Sequence, residues 1–150
     1  MSAGIDPIYC RAPIFTFSID STDSVIGATA NTALTGAGTL GTDIFTAFTA
    51  DATNGGFVNR IRFKAAVSAA ATTLTVARIF INNGAVNSTI TNNVFYDDIT
   101  LPSVTPSVTS ASPVFELPLN IALPAAYRIL VTFATATANG WSVVAIGGAY

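Results

Sequence analysis

The sequence has 150 residues, of which only 9% are charged, with a formal net charge of -2 and a pI near 4.6. It contains no histidine and one cysteine, which removes histidine-based triads, most catalytic zinc sites and any intrachain disulfide. Six Lys and Arg on an acidic chain do not make the basic surface that generic nucleic-acid binding needs.

A chain of this length fits one domain, 1–150, able to bury a core without staples. Charge far below the roughly 25% of an average soluble domain, and a mean hydropathy of +0.58, imply a neutral, weakly hydrated surface. Such a surface tends to self-associate unless partner subunits cover it. This favours a protein that works in an assembly. No stretch approaches the roughly 18 apolar residues of a membrane helix. "MSAGIDPIYCRAP" lacks a basic segment followed by an apolar one, so no signal peptide is expected. Residues 1–13 read as an N-terminal arm.

"PIFTFSI" (13–19) is the first predicted strand. Residues 20–42 are small, Gly-rich and Thr-rich, and predict an extended loop with at most a short strand around Val25. "DIFTAFTAD" (43–51) is followed by "ATNGG", a turn in which Asn-Gly supplies positive φ at little cost. "FVNRIRFKAAV" (57–67) and "TTLTVARIFIN" (72–82) come next, the latter ended by "NNG". "NNVFYDDITL" (92–101) precedes a three-proline stretch, 102–113, that reads as a loop. Pro118 makes "VFELPLNIAL" (114–123) an edge strand or one with a break. "AYRILVTFAT" (126–135) and "GWSVVAIGGAY" (140–150) complete the series. The continuous apolar run "RILVTF" implies burial on both sides. About eight short strands, bounded by Gly, Pro, Asn and Ser, predict an all-β protein: a β-sandwich, jelly-roll-like.

The charge distribution singles out 57–67. Arg60, Arg62 and Lys64, half of all the cations, occupy alternate positions. Side chains alternate across a strand, so these three share one face, and Phe57, Asn59, Ile61, Phe63 and Ala65 are expected on the other, with the apolar members in the core. The face is either a solvated edge protected by cations or a docking stripe for an acidic surface.

Chemistry is otherwise sparse. Cys10 has no histidine to activate it and reads as a small apolar residue. Asp97 and Asp98 are strand neighbours that point to opposite faces; turn support is their expected role, with a hard cation as the alternative. Asp20 and Asp23 read as a capped turn, and "GAGTLG" (36–41) lacks the Lys-Ser/Thr and helix of a phosphate loop. "NST" at Asn87 matches a glycosylation sequon by chance. Trp141, Tyr96, Tyr127 and Tyr150 could form a carbohydrate platform, although Trp141 is expected in the core. No catalytic, cofactor or metal residue is expected.

"NGGFVNRIRFKA", "VARIFINNG", "LPLNIALPAAYRILV" and "WSVVAIGGAY" together resemble small tailed-bacteriophage virion proteins of the capsid decoration (cement) or head-tail accessory type, over about residues 55 to 150. The resemblance implies a β-sandwich protomer, usually in a trimer, at symmetry axes of an icosahedral shell, with the N-terminal arm reaching to neighbours. It carries no residue-level site. It makes the expected partners further copies of this chain and a major capsid protein, with no nucleic acid and no membrane. The expected location is the capsid exterior, after synthesis in the host cytoplasm. Arg60, Arg62 and Lys64 are the candidate protein interface. The rival readings are a phage tail-associated or receptor-binding β-domain and a carbohydrate-binding or adhesin module.

Overall fold

The computed structural model describes residues 12–17, 26–65, 70–137 and 140–150. Cys10, Asp20, Asp23 and Val25 lie outside them, as does nearly all of the expected arm. The eight strands are β1 (Ala12–Phe17), β2 (Ile44–Thr49), β3 (Gly56–Lys64), β4 (Thr75–Asn82), β5 (Asn93–Leu101), β6 (Val114–Leu123), β7 (Arg128–Phe133) and β8 (Ser142–Ala149). One 3-10 turn, Ile90–Asn92, leads into β5.

The strands form two four-stranded antiparallel sheets, ordered β1-β8-β3-β6 and β2-β7-β4-β5. Only the β4–β5 connection stays within one sheet; every other step changes sheet. That is the winding of an eight-stranded jelly roll. Among the described residues, each of the eight stretches expected to be strands overlaps one. β6, with Pro118, lies at a sheet edge as its proline requires.

The sheets pack face to face on Val58, Ile61, Phe63, Val143 and Ala145 from one, and Phe45, Ala77, Ile79, Val131 and Phe133 from the other. Trp141 is fully buried among them, edge-on to Phe115 with ring centroids 5.8 Å apart. Its Nε1 has no hydrogen-bond partner among the described residues. An orphaned donor costs about 1–3 kcal/mol, and burial of the large ring offsets that.

The second sheet is buried on its outer side too. Ile44, Phe80 and Leu130 form a separate cluster there, each at 0% exposure. Residues 26–43 cover it. Asn31 N donates to the Phe133 carbonyl at 2.8 Å, and Arg78 Nη1 donates to the Asn31 carbonyl at 3.1 Å. Asn87 Nδ2 donates to the Gly38 carbonyl at 2.9 Å. Gly36, with φ +68, lies so close that a Cβ would stand 2.9 Å from Phe80 and from Asn93. Gly36 of "GAGTLG" thus serves close approach of backbone to sheet, whereas a Cβ on Gly38 would meet Asn31 and Asp43 of the cover itself. The both-sided burial expected for "RILVTF" is met by this cover.

One expectation for 57–67 is corrected. A bulge displaces the register between Val58 and Arg60 against both neighbours of β3. Val58 therefore points inward, fully buried, and Phe57 lies half-buried on the outer side. Asn59 occupies the bulge, and its Nδ2 donates to Oδ1 of Asn120, itself at φ 50. An extra residue shifts side-chain parity, and strict alternation cannot register it.

The 51–55 turn closes the β2–β3 step. Asp51 Oδ1 accepts N–H groups of Thr53 at 2.9 Å and Asn54 at 2.8 Å. The Asn54 backbone bond first, then that of Thr53, holds the Asp51 carboxyl below its ordinary value of 3.8. A depressed folded pKa gives stability that is present above the ordinary value and lost as pH falls through the folded one. Asp51→Asn should therefore flatten the acid limb of the stability profile below about pH 4; unchanged acid unfolding curves would count against this role. Gly55, at φ 81, has no room for a Cβ against the Leu123 carbonyl. Gly55→Ala should destabilise by more than about 1 kcal/mol in denaturant unfolding.

Candidate protein-docking surface

The bulge that moves Phe57 outward leaves Arg60, Arg62 and Lys64 together on the outer face of the first sheet. Register places each between two neighbours: Arg60 between Ile146 and Pro118, Arg62 between Val144 and Glu116, and Lys64 between Ser142 and Val114. The cations therefore stand in a row along the sheet, flanked largely by aliphatic side chains. Val144 and Ile146 are only half-buried there. Apolar stems of Arg and Lys lie over such surface while their charged ends reach water.

Glu116 is the acid of this face. Its Oε1 lies 3.4 Å from Arg60 Nε and 4.0 Å from Arg62 Nε. The nearer pair is not aligned as a hydrogen bond, and Arg60 Nη1 instead donates to Asn59 Oδ1 at 2.7 Å. Lys64 is exposed and forms no ion pair among the described residues. The Arg60, Arg62 and Glu116 side chains are 40–45% exposed. Such pairs contribute at most about 1 kcal/mol. Among the described residues, one carboxylate against three cations leaves the face positive.

The remaining described cations are tied to loops. Arg128 Nε donates to Asn82 Oδ1 at 3.1 Å, and its Nη2 donates to the Gly84 and Ala85 carbonyls. Arg78 holds the 26–43 cover as described. The row on β3 is thus set apart by its open position. Alternation identified these three residues in the sequence; the bulge and Glu116 pairing needed the structure.

The carbohydrate candidates fare differently. Trp141 is core. Tyr96 is 41% exposed on β5, whereas Tyr127 and Tyr150 are partly buried. A cleft of about 250 Å³ is lined by Ile81, Asn83, Asn92, Val94 and Tyr127, among others. Its amides serve the adjacent turn: Asn83 Nδ2 donates to Asn92 Oδ1 at 3.2 Å, Asn83 Oδ1 accepts Ala85 N at 3.1 Å, and Asn92 Nδ2 donates to the Val86 carbonyl at 2.9 Å. Amide groups spent on the fold are poor recognition groups for a sugar. Asn87 of the sequon is buried, 5% exposed.

The turn support expected of Asp97 and Asp98 is corrected: both lie within β5, beside its register shift, where Asp98 N donates to Asp97 Oδ1 at 2.8 Å. Among the described residues no group of three or more His, Cys, Asp or Glu is placed to hold a metal ion. A surface device can be removed without unfolding the sandwich. Glu116→Gln should change stability by less than about 1 kcal/mol, and should strengthen retention of the folded protein on a cation-exchange matrix. Unchanged retention would mean that Glu116 does not offset the row. Comparison with models of protein families, with curated proteins and with solved structures returned no match.

Proposed function

We propose that this chain is a structural protein of a virus particle, a phage capsid decoration (cement) protein that acts as an oligomer, with a trimer the expected form. One observation carries the reading: a row of three cations stands on an open sheet face, edged by aliphatics and offset by one carboxylate. A face of that composition suits a protein surface of opposite charge.

Eight-stranded jelly rolls occur in viral shells and in lectins. Fold alone does not choose between them. The buried Trp141 and the self-engaged amides favour the shell role over sugar binding. A cement protein needs no reactive group. It adds buried area between shell subunits, worth roughly 25 cal/mol per Å² of apolar surface. Repetition about a symmetry axis multiplies weak contacts. The role is non-catalytic, with the major capsid protein as partner and the capsid exterior as location.

Light scattering over a dilution series tests the reading: a stable trimer is expected, and a persistent monomer counts against it. The triple variant Arg60→Ser/Arg62→Ser/Lys64→Ser should weaken assembly while unfolding within about 0.5 kcal/mol of the parent, as exposed substitutions do. Normal assembly of that variant would assign the row to a solvated face.

A further inference from the structure

The cationic row implies an acidic acceptor, and the chain itself carries one. Among the described acids, Asp43 accepts Thr39 N at 2.6 Å and Asp51 caps its turn. Glu116 belongs to the row. Asp97 and Asp98 remain, on β5 at the open edge of the second sheet, and form no ion pair among the described residues. Arg78 stands opposite Asp98 in register, but its guanidinium bonds the Asn31 carbonyl.

The same strand exposes Val94, Phe95 and Tyr96 at 56%, 42% and 41%. β5 therefore offers an apolar and aromatic run and two carboxylates; in register Asp97 stands with Ile79 and Asp98 with Arg78, on opposite sides of the strand, so one partner meets both only across the open edge. The β3 face offers guanidinium and ammonium groups between aliphatics. Aromatic faces accept guanidinium groups, and carboxylates pair with Arg and Lys. The patches match in charge and in apolar character.

Strand-to-strand addition is blocked on both edges concerned. β5 carries a register shift at Tyr96 and two charges, and β6 carries Pro118 and the irregularity at Asn120. Contact would run through side chains. No ion pair joins row and patch within one copy. Linking two different patches of identical chains gives a head-to-tail contact, which forms a ring when the rotation closes.

We propose that the acceptor of the row is a second copy of this chain, whose Phe95, Tyr96, Asp97 and Asp98 dock on Arg60, Arg62 and Lys64. This rests on the reading of the chain as an assembly protein, and names the contact that builds its oligomer.

The test is sedimentation velocity on the full chain, on Asp97→Lys/Asp98→Lys, on Arg62→Glu/Lys64→Glu, and on the chain with all four substitutions. Each double variant should raise the dissociation midpoint by about tenfold or more, since like charges then face each other. The fourfold variant should recover assembly, because its patches again have opposite charge. Recovery also separates lost contact from lost folding. If the parent assembles and Asp97→Lys/Asp98→Lys assembles equally well, this contact is overturned and the assembly reading stands. If both doubles dissociate and the fourfold variant does not recover, the two patches do not face each other and the contact is overturned. A parent that is monomeric throughout overturns both.

Discussion

The structure depends on burying the second sheet on both of its faces. Its central strand β7 reads Arg-Ile-Leu-Val-Thr-Phe and is buried from Ile129 to Phe133. Ile129, Val131 and Phe133 meet the other sheet, whereas Leu130 and Thr132 turn away from it. A strand that is apolar on both faces needs cover on both. The first sheet supplies one cover. The segment 26–43 supplies the other, and its composition follows from the task. Gly36 and Gly38 allow close approach to Phe80, Asn93, Asn31 and Asp43, and Asn31 bonds the segment internally through the Ala37 carbonyl at 2.9 Å.

That arrangement leaves an open outer face on the first sheet. There the chain places Arg60, Arg62 and Lys64. The low charge content gives this row its meaning. On a surface crowded with mixed charge, three exposed cations would be screened by neighbours. Here, among the described residues, Glu116 alone is paired with the row, through Arg60 and Arg62. The same economy holds at β5, where Asp97 and Asp98 sit beside exposed Phe95 and Tyr96. Opposite charges on separate faces, each with apolar company, are the ingredients of a directional contact between identical subunits.

Hydrogen bonds around the β4–β5 connection engage the amides that line the cleft beside Tyr127. Asn82 Nδ2 donates to Asn93 Oδ1 at 2.8 Å, while Asn93 Nδ2 donates to the Asn87 carbonyl at 2.7 Å. A chain with few charges satisfies its turns with amides. Abundant asparagine near a cleft is then structural chemistry, not recognition chemistry.

Strand positions, the edge location of β6, the double burial of β7 and the cationic row were legible in the sequence, because each follows from local rules of alternation, proline geometry and continuous hydrophobicity. The inward turn of Val58, the outward place of Phe57 and the bulge at Asn59 were not. A bulge depends on how β3 meets β6 and β8 at once, and one added residue reverses every side chain beyond it. The cover over Phe80 was likewise invisible as such: the described part of the expected loop, 26–42, holds no named strand, but what a loop lies against is set by long-range packing. The sequence by itself determined the strands and the charges; the tertiary structure decided which faces stay open, because burial belongs to pairs of distant elements and not to either one alone.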